Sequence, residues 1–289
     1  DEDYRRILRA VLAYGRDQQL SYYHKKRKEG ILRHLLVRKG TFSGEILIML
    51  VTASGWHPGE DFVRMLRTLE LTGQIVGILQ GENDLPADTV QCQKLNILYG
   101  RDWLHEELLG LKFRISPFSF FQTNSAGAEV LYTIVRDFAG SVEGQRIFDL
   151  YSGTGTIAQV LASSAREVLG IELVEEAVAA ARENAAANGL SNCRFLAGDV
   201  LKVLQSVEEL PDEIIMDPPR EGAVPKALRA ILNYGVRNIV YVSCKPTSLA
   251  RDLPAFLEAG YEARRLACVD MFPSTKNVET IVLLQKADQ

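Results

Sequence analysis

From residue 146 onward the sequence alternates short β-branched runs with segments of helical period, and this alternation constrains the chain more than any other feature. Strands are expected at 147–150, 167–171, 193–197, 213–216 and 239–242, with helices at 156–163, 175–188, 200–205 and 225–232. Runs that are apolar throughout suit strands buried on both faces, and the helices between them supply the covers. The expected architecture is therefore a doubly wound parallel sheet. The end of the chain departs from this pattern, since 264–270 and 279–285 read as two closing strands around a loop containing Pro273.

The preceding part has a different grammar. A helix at 4–19, strands at 31–38 and 45–52, a helix at 61–69 and strands at 75–79, 94–98 and 112–116 make an α+β region, and a helix at 126–138 leads into the sheet. The expected division is a smaller α+β domain over 1–117 and an α/β domain over 118–289.

The 289 residues suffice for one large domain or two ordinary ones. No apolar run reaches membrane-spanning length and no cleavable leader is visible, so a cytoplasmic protein is expected. Cys92, Cys193, Cys244 and Cys268 lie far apart without metal-ligand spacing, so neither a metal nor a disulfide framework is expected. The first residue is Asp1, and a missing N-terminal portion is expected. The formal charge of −4 hides a local excess between Arg16 and Lys39, where Arg16, Lys25, Lys26, Arg27, Lys28, Arg33, Arg38 and Lys39 face only Asp17 and Glu29. Such a run on an acidic chain hints at phosphate-backbone contacts.

Five stretches carry the chemistry. Asp149-Leu150-Tyr151-Ser152-Gly153-Thr154-Gly155 lies between an expected strand and helix, and its glycines permit a tight turn against a ligand. Glu172, ending the next strand, can bind both hydroxyls of a ribose, which suits either NAD or S-adenosylmethionine. Asp149 favours the cationic aminoacyl end of the latter over a pyrophosphate, which it would repel. Asp199 follows the third strand, where an adenine edge can be read. Asp217-Pro218-Pro219-Arg220 makes a rigid loop that can hold a carboxylate against the imide N–H of a planar ring. Phe118-Ser119-Phe120-Phe121-Gln122-Thr123-Asn124 offers an aromatic to stack on a base, and Gln122 as a partner for the cofactor. Cys244, in Ser243-Cys244-Lys245-Pro246, stands at a strand's carboxyl end and the start of a loop, where open α/β sheets bind ligands. Glu279 closes Phe272-Pro273-Ser274-Thr275-Lys276-Asn277-Val278-Glu279. Taken singly, a lone cysteine is most often a small buried hydrophobe and a lone Glu at a strand end a solvated one.

Together and in this order, these motifs resemble the RNA uracil-C5 methyltransferase family, whose members act on 23S ribosomal RNA or on tRNA. The likeness covers essentially the whole chain, including Gly30-Ile31-Leu32-Arg33-His34 and Leu249-Ala250-Arg251-Asp252-Leu253. It implies a class I S-adenosylmethionine-dependent methyltransferase sheet of Rossmann-like form, preceded by an RNA-contacting region. The implied chemistry is methylation of uracil C5 through a covalent adduct of Cys244 to C6, with Glu279 removing the C5 proton. Gln122, Tyr151, Gly153, Glu172, Asp199 and Asp217 would surround the cofactor, Phe120 would stack on the base, Asp217 would also hold the ring edge, and Arg251 would meet phosphate. The target would be an unpaired or flipped-out uridine. The pattern looks nearer the 23S ribosomal RNA enzymes, with tRNA as the alternative, and a monomer is expected. Two residues depart from the family, Lys245 where asparagine is usual and Asn277 where histidine is usual. The family's N-terminal barrel domain is absent from the sequence, and a [4Fe–4S] cluster would require cysteines upstream of it. The rival readings are an NAD-dependent dehydrogenase, an inactive RNA-binding fragment, and a base-nitrogen methyltransferase that would not need Cys244.

Overall fold

The computed structural model describes residues 1–87 and 89–287. It divides into two compact units, Asp1–Glu107 with Phe113–Ser119, and Leu108–Lys112 with Phe120–Gln289.

In the first unit, α1 (Glu2–Asp17) and α2 (Glu60–Arg67) pack on a four-stranded sheet of β1 (Leu32–Lys39), β2 (Glu45–Thr52), β3 (Gln74–Glu82) and β4 (Lys94–Gly100), in that spatial order. The apolar stripe of α1, Ile7 and Val11, meets Phe62 and Leu66 of α2 over Ile46, Ile48, Leu50 and Ile78 of the sheet. β2 and β3 run parallel and need the crossover that α2 provides, while both outer pairs are antiparallel. Asp3, in the first turn of α1, is buried and accepts from Thr72 N, Thr72 Oγ1, Gly73 N and Lys39 Nζ at 2.7–3.0 Å. Burial alone would raise its pKa, but the Lys39 ammonium and these donors hold it well below the carboxylate range. A separate two-stranded sheet follows, β5 (Leu104–Leu108) and β6 (Leu111–Ile115). β5 was not expected, because Leu104-His105-Glu106-Glu107-Leu108 carries too many charges to read as a strand.

The second unit begins with α3 (Ser125–Ala139), capped by Asn124, whose side chain accepts from Gly127 N at 3.0 Å. The chain then alternates β7 (Arg146–Leu150), α4 (Thr156–Ala162), β8 (Glu167–Glu172), α5 (Glu175–Ala187), β9 (Cys193–Ala197), α6 (Val200–Ser206), β10 (Glu213–Met216), α7 (Pro225–Asn233), β11 (Asn238–Ser243), α8 (Pro246–Glu258), β12 (Tyr261–Val269) and β13 (Glu279–Lys286). The spatial order is β12-β13-β11-β10-β7-β8-β9. From β7 the chain winds outward through β8 and β9, then returns to lay β10 on the other side. The direction of winding therefore switches between β7 and β10, the place where such sheets open a ligand crevice at their carboxyl edge. β13 is inserted antiparallel between β11 and β12, so the two closing strands extend the sheet.

On one face, Val200, Leu204, Leu228, Ile231 and Phe256 of the covering helices bury Phe148, Leu150, Ile171, Met216, Tyr241 and Leu284. One expectation changes. Lys245 is extended (φ −142°, ψ 95°), as a residue before proline should be, but no loop follows it, because Pro246 is the first residue of α8. No helix among the described residues is long and apolar enough to cross a membrane.

Candidate active site

The site residues expected from the sequence lie in the second unit: most at or after the carboxyl ends of the parallel strands or in the segment before α3, Glu279 at the start of the antiparallel β13, and Arg251 within α8. The glycine turn after β7 is tightly specified. Tyr151 adopts φ +64°, a left-handed conformation that costs a non-glycine residue strain and persists only where its surroundings enforce it. Gly155 has φ +74°, and a Cβ there would stand 2.5 Å from the Phe195 ring. At Gly153 nothing lies within 4 Å of a Cβ position, so the space beside it is open.

Three carboxylates frame this turn. Asp149 is fully buried in β7. Its Oδ2 accepts from Ala158 N at 2.9 Å while its Oδ1 is buried with no hydrogen-bond partner among the described residues. Burial pushes its carboxyl up to about 7, the Ala158 N–H opposing and the Glu172 charge adding to the shift. Glu172 accepts from Gly153 N at 3.0 Å and from Val174 N at 2.9 Å, which pins the turn to the end of β8. Asp199 caps α6 by accepting from Lys202 N at 3.2 Å. Its charge reaches Tyr151, whose phenol is pushed up to about 12, first by burial and then by Asp199 and Asp252.

The thiol side is built by strand register. β11 and β13 pair antiparallel as far as Ser243 opposite Thr280, so Cys244, the first residue after β11, comes at the end of the sheet where Glu279 begins β13, and the Glu279 charge acts on its thiol. Burial raises the Cys244 thiol above its usual value, the Glu279 and Asp217 carboxylates raise it further, and the Arg220 guanidinium opposes them. Glu279 is only 6 % exposed, and burial raises its carboxyl as well. Asp217 follows β10, its N–H donating to Leu150 O at 3.2 Å. Burial, then the charges of Glu279 and Asp149, lift its pKa well above the carboxylate range. Cys244, Glu279 and Asp217 thus form one electrostatic group, with Asp149 coupled to it through Asp217.

A residue that the sequence did not single out joins the two sides. Tyr132 of α3 is buried, its hydroxyl is hydrogen-bonded to the Gln122 side chain, and it feels the charges of Asp217, Asp149 and Glu279. In the sequence it is one apolar-face residue of an amphipathic helix, indistinguishable from core. Phe120 is 70 % exposed while its neighbour Phe121 is buried, so Phe120 is the ring free to stack on a ligand. Arg251 lies elsewhere: its guanidinium binds Asp252 Oδ1 at 2.9 and 3.1 Å and also the Glu221 carbonyl.

The loop after Asp217 is held at several points. Ser248 Oγ donates to Arg220 O at 2.8 Å, and Arg220 Nη2 to Asn277 Oδ1 at 3.1 Å. Lys245 Nζ lies 3.3 Å from Glu221, and Asp252 Oδ2 accepts from Ala223 N at 2.9 Å. Lys245 and Asn277, the two departures noted in the sequence, both bind this one loop. The arrangement can add a thiol to an electrophilic carbon and move a proton between that carbon and a carboxylate.

Comparison with known proteins is consistent with this geometry. The family model tRNA (Uracil-5-)-methyltransferase matches residues 89–287. An uncharacterized RNA methyltransferase of Clostridium tetani is 52% identical over 289 residues, all of this chain and 63% of that protein. Another, of Caldanaerobacter subterraneus subsp. tengcongensis, is 52% identical over 288 residues, 99% of this chain and 64% of that protein. The chain thus spans less than two thirds of the length of these curated relatives. Among solved structures, the tRNA (uracil-54, C5)-methyltransferase of Pyrococcus abyssi, in complex with S-adenosyl-L-homocysteine, superposes with a TM-score of 0.81 at 29% identity, covering 97% of this chain and 66% of that one.

Proposed function

The chain belongs to the tRNA (uracil-5-)-methyltransferase family, and from that premise we propose that it methylates C5 of a uracil in RNA, with S-adenosylmethionine as methyl donor and Cys244 as covalent catalyst. The observation that carries this reading is the register of β11 and β13, which ends at Ser243 opposite Thr280 and leaves the Cys244 thiol and the Glu279 carboxylate electrostatically coupled at the carboxyl edge of the sheet.

The residues fit the donor. The buried, unpartnered Oδ1 of Asp149 suits its cationic aminoacyl end. Glu172 suits the ribose hydroxyls, Asp199 the adenine edge, and the open space at Gly153 leaves room for the ligand. When bound, S-adenosylmethionine supplies an electrophilic methyl group on a sulfonium.

The protein's own residues do the rest. Uracil C5 is a weak nucleophile. Addition of the Cys244 thiolate to C6 breaks the C5–C6 π bond and moves its electron pair toward the O4 enolate, from which C5 accepts the methyl group. Glu279 then takes the C5 proton, the C5–C6 double bond re-forms, and the C6–S bond breaks to release Cys244. Asp217, whose carboxyl is shifted up by burial and by the Glu279 and Asp149 charges, accepts from the N3–H edge of the ring. Phe120 stacks on the base, Gln122 is oriented by Tyr132, and Tyr151 borders the donor. Arg251 is a candidate phosphate contact that would have to exchange its partners Asp252 and Glu221.

Two RNAs are in play. The motif pattern favours 23S ribosomal RNA, whereas the likeness to the P. abyssi enzyme favours tRNA. Incubation with unmodified transcripts of both and labelled S-adenosylmethionine, followed by mapping of 5-methyluridine, separates them. Cys244→Ala is expected to abolish both the label and any covalent RNA adduct; retained turnover in that variant would refute the mechanism.

A further inference from the structure

The eight cations between Arg16 and Lys39 do not act as one patch, because the fold uses several of them internally. Arg33 donates to Asn83 O, Leu85 O and Ala87 O at 2.7–3.1 Å and covers the Tyr23 ring at 4.1 Å. Arg38 donates to Ser116 O and Ser119 Oγ. Lys39 is held by Asp1, Asp3 and Thr72. Lys26, Arg27 and Lys28 follow one another in the loop before β1, directly after Lys25, and are exposed.

This loop is built as a fixed platform. His24 N donates to Glu29 O at 2.7 Å, Lys28 N to His24 O at 2.7 Å, and Tyr23 N to Leu32 O at 2.8 Å, while Ile31 N and Leu32 N both reach Ser21 O at 2.9 Å. Inside the turn Arg27 N donates to His24 Nδ1 at 3.3 Å. Gly30, at φ +128°, lies so close to Tyr22 that a Cβ would stand 2.4 Å from the Tyr22 carbonyl oxygen, so the base of the loop admits no other residue without a shift. Lys28 holds φ +58°, a conformation ordinary for glycine or asparagine and strained for lysine. A lysine at that position keeps a fourth consecutive cation where backbone geometry alone favours a smaller residue. Lys26, Arg27 and Lys28 make no ion pair among the described residues. Tyr22, four residues before Lys26 in the chain, is 51 % exposed.

We propose that the Lys26-Arg27-Lys28 turn with Tyr22 is an RNA-docking site, its three cations gripping successive phosphates and the Tyr22 ring stacking on an unpaired base. The inference rests on the reading of the chain as an RNA methyltransferase and assigns part of its substrate grip to the first unit. A closely spaced series of exposed cations matches the repeat of a polyanion, and an exposed aromatic close to it in the chain matches a π-faced polymer. An anionic membrane is the weaker fit, since the turn itself carries no apolar side chain to enter the acyl region.

The test is binding of the 289-residue chain to a labelled oligouridylate and to unmodified tRNA and 23S RNA transcripts across about 50–200 mM KCl. The variant Lys26→Ala/Arg27→Ala/Lys28→Asn removes three charges and keeps a residue tolerant of the left-handed backbone. It is expected to reduce the slope of log K against log[salt] by about 2 and to weaken binding about tenfold at the low-salt end. Tyr22→Ala is expected to weaken binding several-fold without changing the slope. S-adenosylhomocysteine affinity and melting temperature, compared with the parent chain, report folding, and Lys26→Glu provides a second variant with a single surface change. An unchanged slope and affinity in the triple variant, with methylation by the parent chain intact, would overturn the docking site alone. Loss of binding to phosphatidylglycerol vesicles with RNA binding unaltered would reassign the turn to a membrane surface. A parent chain that neither binds nor methylates any of these RNAs would overturn both this site and the functional reading.

Discussion

Arg220 Nη2 donates to Asn277 Oδ1 at 3.1 Å, tying the loop that carries Asp217 to the segment that ends in Glu279 two residues later. Arg220 is also the cation that opposes the upward shift of the Cys244 thiol. Its charge and its hydrogen bond are separable. Arg220→Ala is expected to raise the apparent pKa of Cys244, whereas Asn277→Ala breaks the bond, keeps the charge and leaves the thiol titration near that of the parent chain. Alkylation rates of the Cys244 peptide, followed by mass spectrometry against pH, read this directly. Equal shifts in the two variants would mean that geometry, not charge, governs the thiol.

Glu279 affects the same thiol from the other direction. After burial, its carboxylate is the first cause of the raised Cys244 pKa, so Glu279→Gln is expected to lower that pKa and speed alkylation at neutral pH. The same variant cannot take the C5 proton, and a methylated RNA–protein adduct should accumulate on denaturing gels. Faster alkylation with normal product release would leave Glu279 an electrostatic neighbour and remove it from the base's role.

What could be read from the sequence follows from how each feature is encoded. The inner parallel strands are buried on both faces, so their apolar runs are local, and β7 to β11 are visible without the structure although β9 at the sheet edge is only partly buried. The coupling of Cys244 with Glu279 is not local: it depends on β13 entering antiparallel between β11 and β12, which no window of sequence records. Pro246 reads as a loop marker, yet proline is at home in the first turn of a helix, and α8 starts there. The basic run is legible as charge, but whether a cation is free is decided by tertiary partners, as Arg33 and Lys39 show. Asp252 escapes notice because a carboxylate on a helix is ordinarily solvated.

Asp252 is instead 5 % exposed and joins β11, α8 and the loop after β10. Its Oδ2 accepts from Tyr241 Oη at 2.8 Å and from Ala223 N at 2.9 Å, and its Oδ1 accepts from Arg251. Asp252→Ala leaves the Tyr241 hydroxyl and the Ala223 N–H buried without their acceptor, and is expected to cost about 2–4 kcal/mol. Tyr241→Phe removes one donor only and should cost about 1 kcal/mol. Urea unfolding of both variants checks the ratio. Equal losses would show that the Ala223 and Arg251 bonds contribute nothing beyond the Tyr241 bond.

The remaining prediction concerns the opposite end of the sheet. Glu213, the first residue of β10, is 1 % exposed and faces Ile147 of β7 and Asn238 of β11 in register. Burial lifts its carboxyl from 4.5 to about 8, Asn238 offsetting part of the shift. The native state therefore keeps the proton up to about pH 8, while the unfolded chain releases it near about 4.3. Across that window the unfolded state binds fewer protons, so this group makes stability fall as pH rises from about 4.5 to 8, with no further loss above. The ceiling is about 5 kcal/mol from the size of the shift, and relaxation around the carboxylate brings the expected loss nearer 1–3 kcal/mol. Glu213→Gln keeps the shape and cannot ionise, so its advantage over the parent chain should be larger at pH 8 than at pH 5 by that amount. Urea midpoints of both proteins at the two pH values measure the difference, in which all other titrating groups cancel. Parallel pH dependences would mean that Glu213 is ionised in the folded sheet, with a donor compensating its charge.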